Sequence, residues 1–189
     1  MEPSSPTTNA ALLRRLSRSP IGIHVEKWMN LWKTGDLMFA GSFECRMDRQ
    51  GRVAVPPAFR RDIEDSGDSC VLTFFDDAIA GYPRGTWLAL EKQVLSLPAF
   101  SKKARALSRV LASRAHESRL DTQGRILVPP ALRRMAGLER DVIVIGAMDR
   151  FEIWPRDKWN TFAGDAEALL DAASTELSIG LPRPSTTQA

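Results

Sequence analysis

The sequence predicts an α+β fold made of two copies of one unit, and three observations predict it. Glu44–Arg61 reads ECRMDRQGRVAVPPAFRR and Glu117–Arg134 reads ESRLDTQGRILVPPALRR, with twelve of eighteen positions identical and no gap between them. Internal duplication is read before any single residue, because it fixes the architecture within which residues act. Apolar and polar residues alternate on either side of a glycine in each copy, the period of half-buried strands. Each copy then closes on an aromatic-Pro-Arg segment, Tyr82-Pro83-Arg84 and Trp154-Pro155-Arg156. That second alignment is one residue out of step with the first, so a single insertion or deletion lies between.

Residues 1–37 differ from the rest of the chain. Ser, Thr and Pro dominate to Asn9, and a basic amphipathic stretch ends at Pro20. Val25, Trp28, Met29 and Trp32 share one helical face. This extension is expected to be disordered, or to precede the true start at Met38. Trp28-Met29 and Trp32-Lys33 each require the nucleotides TGGA, so the segment also reads as repeated DNA ahead of that start.

In the first copy Phe43, Cys45 and Met47 alternate with Glu44, Arg46 and Asp48, and Val53 and Val55 alternate with Arg52 and Ala54. A two-residue loop between them would set Met47 opposite Arg52 and mix the buried and wet faces. A three-residue loop with Gly51 left-handed pairs Met47 with Val53 and Asp48 with Arg52. The second solution also explains the glycine, which enters that conformation without a steric penalty. Gly124 stands at the same place in the second copy, where Asp121 faces Arg125.

Pro57 suits a first helical position, and the turn or two after it places Phe59 and Ile63 inward and Arg60 and Arg61 outward. Strands come next over Cys70–Phe75 and Ala78–Tyr82, then a helix from Pro83 carrying Trp87, and a second helix to about Arg114. That second helix has an apolar stripe of Ala104, Leu107, Val110 and Leu111 beside Lys102, Lys103, Arg105 and Arg109. In the second copy Asp141–Ile145 and Arg150–Trp154 read as paired strands before another helix. The chain thus divides into a unit over 42–88, a helical bridge over 89–114, a second unit over 115–159, and an acidic helix with a disordered tail over 160–189.

Composition narrows the function. The 189 residues hold 26 Lys and Arg against 23 Asp and Glu, a net charge of +3, with a pI near 9.1. A basic surface therefore has to come from clustering. Two cysteines, Cys45 and Cys70, do not make a zinc site, and no apolar run reaches the roughly twenty residues a membrane helix needs. His24 lies in the extension, and His116 and Glu117 are neighbours on a strand and point apart. With no convergent nucleophile, acid–base pair, phosphate loop or dinucleotide motif, an enzyme, a metal, a cofactor and a small-molecule substrate are not expected.

The informative charge is on the duplicated stretch. Arg46, Arg49, Arg52, Arg60 and Arg61 recur as Arg119, Arg125, Arg133 and Arg134, with Thr122 in place of Arg49. The first tip is therefore expected to be the more basic. An Asp facing an Arg across a tip is, once, an ordinary exposed ion pair contributing ~0–1 kcal/mol. Recurring in one chain amid further arginines, Asp48 and Asp121 read as groups that orient Arg52 and Arg125 so their rigid donor forks face outward. Such arginines suit phosphates and guanine edges.

Asp-x-x-Gly-Arg followed by a short aliphatic strand and proline resembles the swapped-hairpin DNA-binding fold of the SpoVT/AbrB class. Two copies, with MFAGSFECRMDRQGRV in the first and LDTQGRILVPPALRRMAGL then RFEIW in the second, resemble the MraZ transcriptional regulators from about Met38 to Phe162. The resemblance implies tandem swapped-hairpin units in a pseudo-twofold arrangement, joined and followed by helices. It further implies a cytoplasmic, nucleoid-associated repressor of a division and cell-wall gene cluster including its own operon. Such a repressor binds short direct repeats in promoter DNA as a ring-like homo-oligomer. Two other readings stay open: an AbrB-like antitoxin, against which the duplication argues, and an oligomeric scaffold that binds no nucleic acid.

Overall fold

A computed structural model describes residues 39–165 of the chain. Contacts divide the sequence into two units, Met1–Met38 and Phe39–Ala189, and the described residues belong to the second. The expectations for residues 1–37, and for the tail beyond residue 165, lie outside the described residues.

The strands are β1 (Ser42–Arg46), β2 (Arg52–Ala54), β3 (Ser69–Phe75), β4 (Ala78–Pro83), β5 (His116–Arg119), β6 (Arg125–Leu127), β7 (Asp141–Gly146) and β8 (Phe151–Pro155). The helices are α1 (Pro57–Glu64), α2 (Arg84–Leu95), α3 (Lys102–Arg114) and α4 (Pro130–Ala136), with a fifth, α5, helical over residues 156–165. The class is α+β with two repeats, as the sequence predicts. Each repeat runs strand–turn–strand, short helix, strand, strand, helix. Pro57 and Pro130 occupy the first helical positions, where a missing amide donor costs nothing.

The strands do not stay with their own repeat. Six form an antiparallel sheet in the order β1-β7-β8-β4-β3-β5, and β2 pairs with β6 in a separate two-stranded ribbon. The first strand of each repeat thus lies beside the third strand of the other, Glu44 opposite Ile143 and Glu117 opposite Val71. Val53 faces Ile126 across the ribbon, and Ala80 faces Glu152 across the centre of the sheet. Both are equivalent positions of the two repeats, so a pseudo-twofold axis runs through ribbon and sheet.

Both faces of the sheet are covered. On one, α1 lies against β3 and α4 against β3 and β4, and the rings of Phe39 and Phe43 meet Phe59 of α1 edge-on at 5.2 Å. Val53, Val55, Ile63, Ile126, Val128, Leu132 and Phe151 are buried here too. Burying a side chain of this kind contributes roughly 1.5–3 kcal/mol, so the layer specifies how the repeats interlock. On the other face Ala78, Ile143, Ile145 and Trp154 pack with Trp159 of α5, and Phe162 stacks on Trp154 at 5.4 Å. The bridge is less covered than its pattern predicts: Ala104 of α3 is buried, but Leu107 and Val110 are exposed.

Candidate nucleic-acid interface

The two hairpin tips close as the register argument requires. Met47 bridges Val53, the Asp48 N–H donates to the Arg52 carbonyl at 2.9 Å, and the Gly51 N–H donates back to Asp48 at 3.0 Å. Gly51 and Gly124 carry φ of +88° and +71°, the left-handed conformation expected of them. Each tip is also tied to the opposite repeat. The Val55 N–H donates to the Gly124 carbonyl and the Val128 N–H to the Gly51 carbonyl, both at 2.9 Å, which lengthens the ribbon by one pair at each end.

Strand alternation then sorts the ribbon's side chains. Val53, Val55, Ile126 and Val128 face the core, while Arg52, Ala54, Arg125 and Leu127 face out. Arg52 pairs in register with Leu127 and Arg125 with Ala54. The two arginines therefore sit diagonally on the outer surface of one two-stranded ribbon.

The aspartates do not treat the two arginines alike. Asp48 Oδ1 accepts the amides of Gln50 and Arg52, and Asp121 Oδ1 accepts those of Gln123 and Arg125, all at 2.9 Å. Asp121 also holds the Arg125 side chain, through Nε at 2.9 Å and Nη2 at 2.8 Å, and Arg125 Nη1 lies 3.7 Å from Asp48 Oδ2. Arg125 is thus shared by both carboxylates, whereas Asp48 meets Arg52 through its backbone amide. Hydrogen bonds from the Arg125 side chain hold the Asp121 carboxyl below its ordinary range; for Asp48 the main cause is the Arg52 amide.

The remaining arginines fall into two groups. Arg46, Arg49, Arg61, Arg119 and Arg134 are exposed, with Arg46 3.4 Å from Asp141 and Arg61 3.9 Å from Asp65. Arg60, expected outward, and its counterpart Arg133 are half-buried, because each crosses to the glycine turn of the other repeat. A Cβ on Gly124 would come within 2.4 Å of the Arg60 guanidinium carbon, and one on Gly51 within 2.6 Å of that of Arg133. Arg60 Nε donates to the Val55 carbonyl at 2.8 Å, while Arg133 Nε is buried with no partner.

The fold also brings in residues that the sequence pattern does not single out. Arg140 and Glu139, from the turn before β7, join Arg46, Asp48, Arg49 and Arg133 around a cleft beside the first tip. The signal lies in the one-residue offset, which aligns Arg140 with Asp68 of the first repeat. Among the described residues no helix is long and apolar enough to cross a membrane.

The tandem architecture has known counterparts. The family described as "MraZ protein, putative antitoxin-like" matches residues 38–110 and 111–178, one match per repeat. A protein of Natranaerobius thermophilus named Transcriptional regulator MraZ is 40% identical over 141 residues, covering 74% of this chain and 96% of its own length. Proteins of the same name from Ligilactobacillus salivarius and Halothermothrix orenii are 42% and 39% identical, covering 71% and 75% of this chain and 92% and 100% of their own. With both repeats matched and the relatives aligned over nearly their whole lengths, this chain belongs to the MraZ family.

Proposed function

We propose that this protein is a DNA-binding transcriptional regulator, not an enzyme, and that it reads DNA with the outer face of the β2–β6 ribbon. The observation that carries the reading is the pair of diagonal arginines, Arg52 and Arg125, on a two-stranded ribbon flanked by the exposed Arg46, Arg49, Arg61, Arg119 and Arg134. A ribbon fits the major groove of a duplex, arginine donor pairs suit guanine edges, and the flanking cations suit phosphates. Relatives over most of the chain are named transcriptional regulators. We further assign it the role of a repressor acting on short direct repeats upstream of a division and cell-wall gene cluster that includes its own gene.

One ribbon makes few contacts, so useful affinity requires several copies acting together. Self-association is supported by the apolar corner between α2 and α3, where Leu95 is 80% and Phe100 96% exposed. Gel-shift titration on the protein's own upstream DNA over a range of salt concentrations tests the reading. Arg52→Ala is expected to remove preference for that DNA, a discrimination of roughly 1–3 kcal/mol per lost bidentate contact, with thermal stability unchanged. Arg125→Ala is expected to weaken binding and also lower stability, since it leaves two carboxylates without their shared cation. Equal binding of the upstream DNA by wild type and Arg52→Ala refutes the assignment. The words "antitoxin-like" in the family description favour a second reading, capture of a partner protein; a co-purifying toxin displaced by DNA supports it.

A further inference from the structure

The internal symmetry sets two clefts at equivalent places, one beside each tip, and their charges are opposite. The first, of about 640 Å³, is lined by Arg46, Arg49, Arg133 and Arg140 against Asp48 and Glu139. The second, of about 350 Å³, has Arg60 alone against Glu64, Asp68 and Asp121. Backbone hydrogen bonds establish the equivalence. The Met47 N–H donates to the Arg140 carbonyl at 2.8 Å, and the Leu120 N–H donates to the Asp68 carbonyl at 3.0 Å. Arg140 in the first cleft therefore stands where Asp68 stands in the second. In the same way Arg49 matches Thr122, and Gly137 matches Glu64.

Two details sharpen the contrast. In the second cleft the one arginine is occupied: Arg60 Nε donates to the Val55 carbonyl at 2.8 Å. The corresponding Arg133 Nε has no hydrogen-bond partner, and a buried charged donor left so is costly unless something satisfies its group. At the second tip Asp121 binds the Arg125 side chain at 2.8 Å. Arg49 and Arg140 are exposed on the first side.

We propose that the first cleft is a phosphate-binding site that grips the DNA backbone, and that its acidic twin makes no such contact. The proposal rests on the DNA-binding reading and adds a direction to it. A ribbon with a true twofold would seat equally well either way round on a duplex. A cleft that grips phosphate at one end only, added to the flanking arginines of both repeats, favours one orientation, as directly repeated sites require and palindromic ones do not.

The test is a salt series on duplex DNA with the full-length protein. Arg140→Ala keeps the backbone carbonyl that Met47 uses and is expected to fold normally. It is expected to weaken binding alike on upstream and unrelated duplexes, and to lower the slope of log affinity against log salt by about one. Arg49→Thr, which restores the residue found at the other tip, is expected to do the same. Asp68→Asn, chosen because asparagine tolerates the φ of +57° at that position, is expected to leave the slope unchanged. An unaltered slope in Arg140→Ala and Arg49→Thr, with Arg52→Ala still abolishing specificity, overturns the cleft and leaves the DNA reading standing. An equal slope change in Asp68→Asn overturns the asymmetry. Inorganic pyrophosphate probes the other source of the same chemistry. Saturable pyrophosphate binding lost in Arg140→Ala, with an unaltered DNA slope, reassigns the cleft to a small phosphorylated ligand and overturns the proposal. If wild type binds no duplex at all, the regulator reading fails and the proposal fails with it.

Discussion

At the scale of single residues, the tips combine a backbone that only glycine adopts freely with an arginine packed directly on it. At Gly51 a side chain meets two obstacles: φ is +88°, and a Cβ would lie 2.6 Å from the Arg133 guanidinium carbon. The arginine can move aside, but the backbone strain stays. Gly51→Val is therefore expected to lower unfolding free energy by roughly 1–3 kcal/mol, read as a shifted urea midpoint; an unchanged midpoint contradicts the turn geometry. The aspartates make a separate prediction. Asp121 titrates below its unfolded value, chiefly through the Arg125 hydrogen bond. Its contribution to stability is present above the unfolded pKa of about 3.9 and is lost as pH falls through the lower folded value. Asp121→Asn should lose less stability than wild type on that acid limb. Parallel acid-unfolding curves for the two proteins would show that the Arg125 pair adds nothing to the fold.

At the scale of elements, the seam between β4 and β8 depends on a missing side chain. Gly81 pairs with Phe151, and a Cβ on Gly81 would come within 2.1 Å of a ring that is wholly buried. Gly81→Ala must displace that phenylalanine, an overpacking expected to cost about 1–3 kcal/mol and measurable as a lowered melting temperature. Unlike the tip glycines, this position has an ordinary backbone, so strain there would come from packing alone. Element types are legible in the sequence because alternation, turn glycines and the helix-opening prolines are local signals. Strand partners are not, since the alternation in Phe43–Met47 suits a neighbour within its own hairpin as well as β7. Only the family resemblance suggests the exchange. For the same reason Arg60 reads as outward: the helix periodicity is right, but the glycine turn that receives its side chain belongs to the other repeat, as it does for Arg133. Arg140 escapes a sequence reading because only the pairing of β1 with β7 brings it to the first tip.

At the scale of the whole molecule, the repeats are halves of one core and not two beads on a string. β1 leans on β7, β5 on β3 and β2 on β6, so each unit on its own leaves a strand unpaired on both sheet and ribbon. The ring cluster shares the dependence: Phe39, Phe43 and Phe59 come from the first repeat, and Phe151, 5.8 Å from Phe39, from the second. A single repeat therefore exposes apolar surface and backbone donors that the full chain covers, and small domains have little stability to spare. Cutting the chain in the turn between α2 and α3, near Ala99, should give two fragments that are each unfolded or self-associated by circular dichroism and gel filtration. Mixed or co-expressed, they should recover one folded species, because the cut crosses no strand and leaves every cross-repeat pairing able to form. A chimera of two second repeats would carry Arg140 and Thr122 twice and Arg49 nowhere, which gives the two clefts the same charge. Such a chimera is expected to fold around a true twofold, with Arg133 and Arg140 in both clefts, and to seat on a duplex equally well either way round. An isolated first-repeat fragment that is monomeric, folded and cooperative on heating would refute the interlocked reading, since it would show that the exchanged strands are dispensable.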